Sequence, residues 1–146
     1  MSNLAKQEWE EKYSVDIEDV DRCQKKLFAL FNDLVEMKDA ATADVKEFTN
    51  KISEINEFAK LFFSTEEKVL RKKGYPDYQN HAKAHRQFIK SSISLRREIS
   101  DDISNLTDDV IIELRNWLID HITTMDVLYV PFVRINNYLE GTKQKN

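Results

Sequence analysis

The run Gly74-Tyr75-Pro76-Asp77-Tyr78-Gln79-Asn80-His81-Ala82-Lys83-Ala84-His85-Arg86-Gln87-Phe88-Ile89 decides how this chain is read. Gly, Pro and Asp crowd its first four positions, which is turn chemistry. From Tyr78 onward, apolar and imidazole side chains return at spacings of three and four: Tyr78, His81, Ala82, His85, Phe88 and Ile89, with Ile93 and Leu95 beyond. Such spacing lines one face of a helix. It predicts a helix with Asp77 as its N-cap, running to about Ser100. Just before the turn, Arg71-Lys72-Lys73 and then Gly74 give the opposite signal, a basic helix end closed by glycine. The basic run reads as a solvated helix terminus and not as a binding patch.

Outward from this corner the same periodicity recurs. Val45, Phe48, Ile52, Ile55, Phe58, Ala59, Phe62, Phe63, Glu66, Val69 and Leu70 form a stripe that predicts a helix over about residues 41–73. Ile17, Val20, Gln24, Leu27, Phe28, Phe31, Leu34 and Val35 predict an earlier one, opened by acidic residues and ending near Lys38-Asp39-Ala40. Thr107-Asp108-Asp109 predicts the cap of a fourth, carrying Val110, Ile111, Leu114, Trp117, Leu118, His121 and Ile122. Pro131 is expected to end or kink that helix, with Phe132, Ile135 and Tyr138 in a last turn. Residues 1–15 read as a polar N-terminal arm anchored by Trp9, and residues 141–146 as a frayed tail. Four helices with short connections predict an all-α, antiparallel up-down four-helix bundle, a single domain over residues 1–146.

Composition agrees. The chain has 146 residues but only 2 Gly and 2 Pro, too few for the many turns of an all-β fold. A net charge of -4 argues against nucleic acid as a partner. Its one cysteine, Cys23, cannot form an internal disulfide, which suits a reducing compartment. No apolar run approaches the length needed to span a membrane, and the N-terminal residues do not resemble a signal peptide. Together these predict a cytoplasmic protein. The oligomeric state is not encoded in any of these features.

The chemistry gathers around the three histidines of the sequence. His81 and His85 are four apart, which places both rings on one helix face where they could share a metal. His121 is flanked by Trp117, Leu118 and Ile122, so it points inward. Asp126 follows it by five residues, a turn of about 500° on an ideal helix. For both side chains to reach one site the helix must bulge, and a π-bulge is expected there. Glu66 sits among Phe62, Phe63 and Leu70, where a carboxylate is costly unless paired or bound to metal. Each has a plainer reading: an exposed histidine pair, a hydrogen-bonded core histidine, a wet carboxylate at the bundle edge. Together they describe three imidazoles and two carboxylates contributed by three helices.

These residues carry a family resemblance. Asp21-Arg22-Cys23-Gln24-Lys25-Lys26-Leu27-Phe28, Phe62-Phe63-Ser64-Thr65-Glu66-Glu67, Gly74-Tyr75-Pro76-Asp77-Tyr78 with His81-x-x-x-His85, and Trp117-Leu118-x-x-His121-Ile122 with Asp126 and Tyr129-x-Pro131-Phe132 resemble the motifs of the hemerythrin family, most of all the bacterial hemerythrins. The resemblance covers nearly the whole chain. It implies a bundle holding two irons, one with three histidines and one with two, bridged by a Glu and an Asp, with O2 bound at the two-histidine iron. Carried over by position, His81, His85 and His121 are the three-histidine set, Glu66 and Asp126 the bridging carboxylates, and Leu118 with Trp117 the lining of the ligand pocket.

Two positions depart from the pattern. Gln24 and Phe62 stand where the family has the histidines of the second iron, and no spare histidine exists to replace them. Phe62 has no lone pair to offer, and Gln24 offers only a weak neutral oxygen. Asp21, three residues before Gln24, could share its face. The expected function is therefore a hemerythrin-like non-heme protein with one iron, manganese or zinc per chain, binding or sensing a small diatomic or oxygen-derived ligand or handling iron. Conventional diiron O2 carriage is expected to be impaired. The competing readings are a diiron O2-binding protein with substitute ligands, a small-molecule redox enzyme, and a metal-free interaction module. No additional acid, base or nucleophile marks an enzyme.

Overall fold

A computed structural model describes residues 4–40 and 43–144 of the chain, with side chains as far as Gly141. Five helical elements are used below: α1 (Glu18–Ala40), α2 (Val45–Lys73), α3 (Tyr78–Asp101), α4 (Asp108–His121) and α5 (Val130–Gln144). Among the described residues there are no strands. The helices α1, α2, α3 and the continuous α4–α5 rod make the four-helix bundle, with α2 packed against both α1 and α3.

Each helix buries most of the stripe its sequence announces, but Val45 at the start of α2 and Ile135 and Tyr138 on α5 are exposed. Leu27, Phe31 and Leu34 of α1 meet Ile52, Ile55, Ala59 and Phe62 of α2 in one core with Ile99, Ile111 and Leu118. Asn56 breaks this apolar pattern but is satisfied. Its amide donates to Ser92 Oγ at 2.6 Å, and Ser92 Oγ in turn donates to the Ile89 carbonyl at 2.9 Å. That buried chain ties α2 to α3 two turns away from His85.

The helix ends are set by caps, which correct two expectations and bear out two others. Helix α2 begins at Val45, not near residue 41, because Asp44 accepts from the Glu47 amide at 2.9 Å and fixes the first turn there. Residues 41 and 42 lie outside the described residues. At its other end Gly74 takes φ 72°, its N–H donates to the Arg71 carbonyl, and the Tyr75 N–H reaches back to Leu70. That is a Schellman closure, and glycine is needed for its left-handed backbone, since a Cβ there would meet nothing within 4 Å. Asp77 precedes α3, but its carboxylate accepts from the Asn80 side chain at 2.7 Å and caps no backbone amide. Thr107 does cap α4, accepting from Val110 N at 3.2 Å.

After α4 the rod does not stop. A π-helical turn at Ile122–Asp126 and a 3-10 turn at Val127–Tyr129 lead directly into α5. Thr123 and Thr124 donate their hydroxyls to the Ile119 and Asp120 carbonyls around the widened turn. Pro131 falls in the first turn of α5, directly after the 3-10 turn, a position that tolerates its missing N–H, so it does not end the rod. The expected frayed tail is helical from Gly141 to Gln144, and residues 145–146 lie outside the described residues.

The N-terminal arm lies along the bundle. Leu4, Tyr13 and Val15 are buried, Tyr13 stacks on Phe28 at 5.3 Å, and Gln7 pairs through its backbone with the Asn32 amide group. Arg115 of α4, nearly fully buried, donates to the Ala5 carbonyl and holds the arm from the other side. Trp9 is half-buried against the core, as its position predicts.

Candidate metal centre

Three helices bring Glu66, His81, His85, His121 and Asp126 together. All five are buried, and one ligating atom from each lies within 4.8 Å of every other. Glu66 comes from the inner face of α2, His81 and His85 from successive turns of α3, and His121 from the last residue of α4. Asp126 is delivered by the π-helical turn, whose extra residue per turn swings it onto the face of His121. The five-residue spacing that looks wrong for an α-helix is right for this backbone.

The contacts within the cluster are short. His81 Nε2 lies 2.6 Å from Glu66 Oε1 and 2.8 Å from Asp126 Oδ1. His85 Nε2 lies 3.0 Å from both Glu66 Oε1 and His121 Nε2. His121 Nε2 is 3.1 Å from Asp126 Oδ1. Neutral imidazoles meet these contacts poorly. The single N–H on His81 Nε2 faces two carboxylate oxygens, and two imidazole nitrogens facing each other can share only one hydrogen. Both oxygens of Asp126 are buried without a well-directed hydrogen bond. One cation at the centre would meet all these lone pairs at once. Three imidazole nitrogens and two carboxylates suit a divalent transition metal.

In the metal-free chain the charges settle accordingly. Burial opposes a charged His81, but the Asp126 and Glu66 carboxylates outweigh it and push its pKa up to about 10. His85 is also raised: burial opposes this, and contacts with Glu66 and Glu67 overcome it. Burial would raise Glu66, but the hydrogen bonds from His81 and His85 hold it well below the ordinary carboxylate range.

Around this set stand residues that aim it. Glu67 Oε2 accepts from His85 Nδ1 at 2.8 Å, which places the proton on Nδ1 and leaves Nε2 free to face inward. Glu67 itself is mostly covered. Tyr129 donates its hydroxyl to Glu66 Oε2 at 2.8 Å, so Oε1 is the oxygen left for the cluster. Burial and the nearby Glu66 and Asp126 charges raise the Tyr129 pKa far above its ordinary value, so it stays a donor. Phe63 stacks on His85 at 3.9 Å and Trp117 on His121 at 4.9 Å, each within 7° of parallel. Leu118 is buried, whereas Trp117 is half-exposed and lines an outer groove between α3 and α4.

The α1 side offers no such set. Gln24 is completely buried, and its Oε1 accepts from Trp9 Nε1 at 2.9 Å. Because the indole N–H can only donate, the oxygen must face Trp9 and the amide nitrogen must face the other way. That nitrogen has no partner among the described residues. Asp21 does not join the cluster: Oδ1 accepts from the Val15 amide at 2.9 Å and Oδ2 from the Ser14 hydroxyl. Phe62 is fully buried one turn before Glu66, with its ring 5.3 Å from that of Phe63.

Fold and site together define a helical-bundle protein with a buried histidine–carboxylate cluster able to hold a metal. Comparison with known proteins narrows this class. Residues 15–133 match the family described as "Hemerythrin HHE cation binding domain", so the chain belongs to the hemerythrin family. It is 27% identical to a bacteriohemerythrin of Methylococcus capsulatus over 107 residues, covering 73% of this chain and 80% of the relative. It is 28% identical to a bacteriohemerythrin of Clostridium acetobutylicum over 125 residues, covering 84% and 97%. A hemerythrin-like protein of Naegleria gruberi is 26% identical over 121 residues, covering 83% and 88%. A solved wild-type hemerythrin superposes with a TM-score of 0.77 at 25% identity, covering 87% of this chain and 97% of that one. No helix of the described residues is long and apolar enough to cross a membrane.

Proposed function

We propose that this hemerythrin-family chain holds a single metal, iron first and manganese or zinc as alternatives, through His81, His85, His121, Glu66 and Asp126, and uses it to bind or sense a small oxygen-derived or diatomic ligand. The observation that carries this reading is an asymmetry of lone pairs. Five donor atoms lie within 4.8 Å of one another on the α2–α3–α4 side. On the α1 side the Gln24 oxygen is occupied by Trp9, the Asp21 oxygens by the arm, and Phe62 has none.

A bound metal would supply positive charge, an open coordination position and, for iron, one-electron redox chemistry. The chain's own residues do the rest. Glu67 orients His85, Tyr129 orients Glu66, and the rings of Phe63 and Trp117 fix two imidazole planes. Phe62 and Leu118 exclude water, which strengthens every electrostatic contact inside. Carriage of O2 by a metal pair is disfavoured by the same asymmetry.

The test is metal content per chain, by mass spectrometry, on protein expressed with iron and purified without oxygen. About one metal per chain, abolished by His85→Ala, is expected. A content of about two irons would overturn the single-site reading in favour of a metal pair with substitute ligands. None at all, in folded protein that also refuses added metal, would favour an interaction module.

A further inference from the structure

A groove of about 610 Å³ runs between α2 and α3 on the outer side of His85. Its floor is apolar, built by Phe63, Ile89 and Ile93, and its walls carry Lys60, Lys68, Arg71, Arg86 and Lys90 against one carboxylate, Glu67. Two of the cations are already engaged: Lys60 with Glu57 at 3.2 Å, and Arg71 over the Tyr78 ring at 5.6 Å. Lys68, Arg86 and Lys90 have no ion-pair or hydrogen-bond partner among the described residues. The carboxylate is not theirs either, since Glu67 Oε2 is held by His85 Nδ1.

We propose that this groove is a binding site for a small organic anion with a flat apolar body. The volume falls in the range of small-ligand sites. The half-buried Tyr78, Ile89 and Ile93 offer apolar surface to the body, and the three unengaged cations offer the charge that its acidic group needs. A bare inorganic anion would leave the apolar floor uncovered, and a neutral ring would leave the cations unpaired. The occupant would lie against Phe63 and Glu67, the two side chains that touch the His85 ring and its Nδ1. Its binding would therefore be felt at the proposed metal site, a coupling that rests on that reading, whereas binding itself does not.

The probe is 8-anilinonaphthalene-1-sulfonate, followed by fluorescence on the full chain. Saturable binding with one probe per chain is expected, about tenfold tighter than the uncharged N-phenyl-1-naphthylamine. The variant K68E/R86E should weaken the sulfonate about tenfold and leave the neutral analogue unchanged. Near-UV circular dichroism checks that it folds, and K90E tests the same wall if it does not. Sulfonate binding that ignores both variants overturns the proposal. So does displacement by sulfate at constant ionic strength, because bare charge would then be enough. For the coupling, probe affinity should differ about threefold between metal-loaded and chelator-treated chain. Equal affinities overturn the coupling even where metal content and groove binding both hold.

Discussion

The two sides of the bundle interior began from the same kind of demand and meet it differently. Toward α3 and α4, imidazole nitrogens and carboxylate oxygens face one another closely, and both Asp126 oxygens lack a well-directed hydrogen bond. Toward α1, Gln24 and Asp21 are turned to the N-terminal arm, and Phe62 closes the space with a ring. The first arrangement gathers five donor atoms that one cation could meet at once, whereas the second is met from within the protein except at the Gln24 amide nitrogen. A buried donor or acceptor that faces no cation needs a partner from the chain. Trp9 supplies that partner for one atom of Gln24.

The largest expected effect comes from reversing the difference. Q24H/F62H should raise iron content from about one to about two per chain under anaerobic loading. A content that stays near one would locate the asymmetry in the backbone of α1. Next, Glu67→Gln should weaken metal binding by about 10- to 100-fold, read by competition with a chelator, since it loosens the support of one ligand without removing it. On the other side, Trp9→Phe strands the Gln24 oxygen and should cost about 1–3 kcal/mol in urea unfolding with metal content unchanged. Metal loss in that variant would show that the arm serves the cluster as well.

The smallest effect is on pH. In the metal-free chain His81 is raised from 6.5 to about 10. Its stabilising contribution is therefore fully present below pH 6.5 and is lost as pH rises through about 10. The melting temperature of the metal-free chain should fall across that window. A metal-loaded chain, in which His81 would be held as the neutral imidazole, should fall less.

Much of this was legible in sequence because it is periodic. The apolar stripes of Leu27, Phe31 and Leu34, and of Ile52, Ile55 and Phe62, are local patterns, and the helices follow them. The π-turn was legible for a different reason, since two polar residues of one buried site stood five apart. Helix starts were less so, because Asp44 and Asp77 look alike on paper and only one reaches a backbone amide. Pro131 misled, since its meaning depends on whether it falls in a first turn. The Trp9–Gln24 and Glu67–His85 contacts join residues 15 and 18 apart on different elements, and no local pattern encodes them.

The π-helical turn also makes the rod tolerant of a length change in a way the other helices are not. Its extra residue is a bulge that the widened turn absorbs. Deleting any one of Thr123, Thr124 or Met125 would leave His121 and Asp126 four apart, a rotation of about 400° on an ordinary helix, which keeps both on one face. An ordinary helix could then close over the gap with Asp126, Tyr129 and Val133 still in register. The same deletion in the middle of α2 or α3 would turn every side chain beyond it by about 100°.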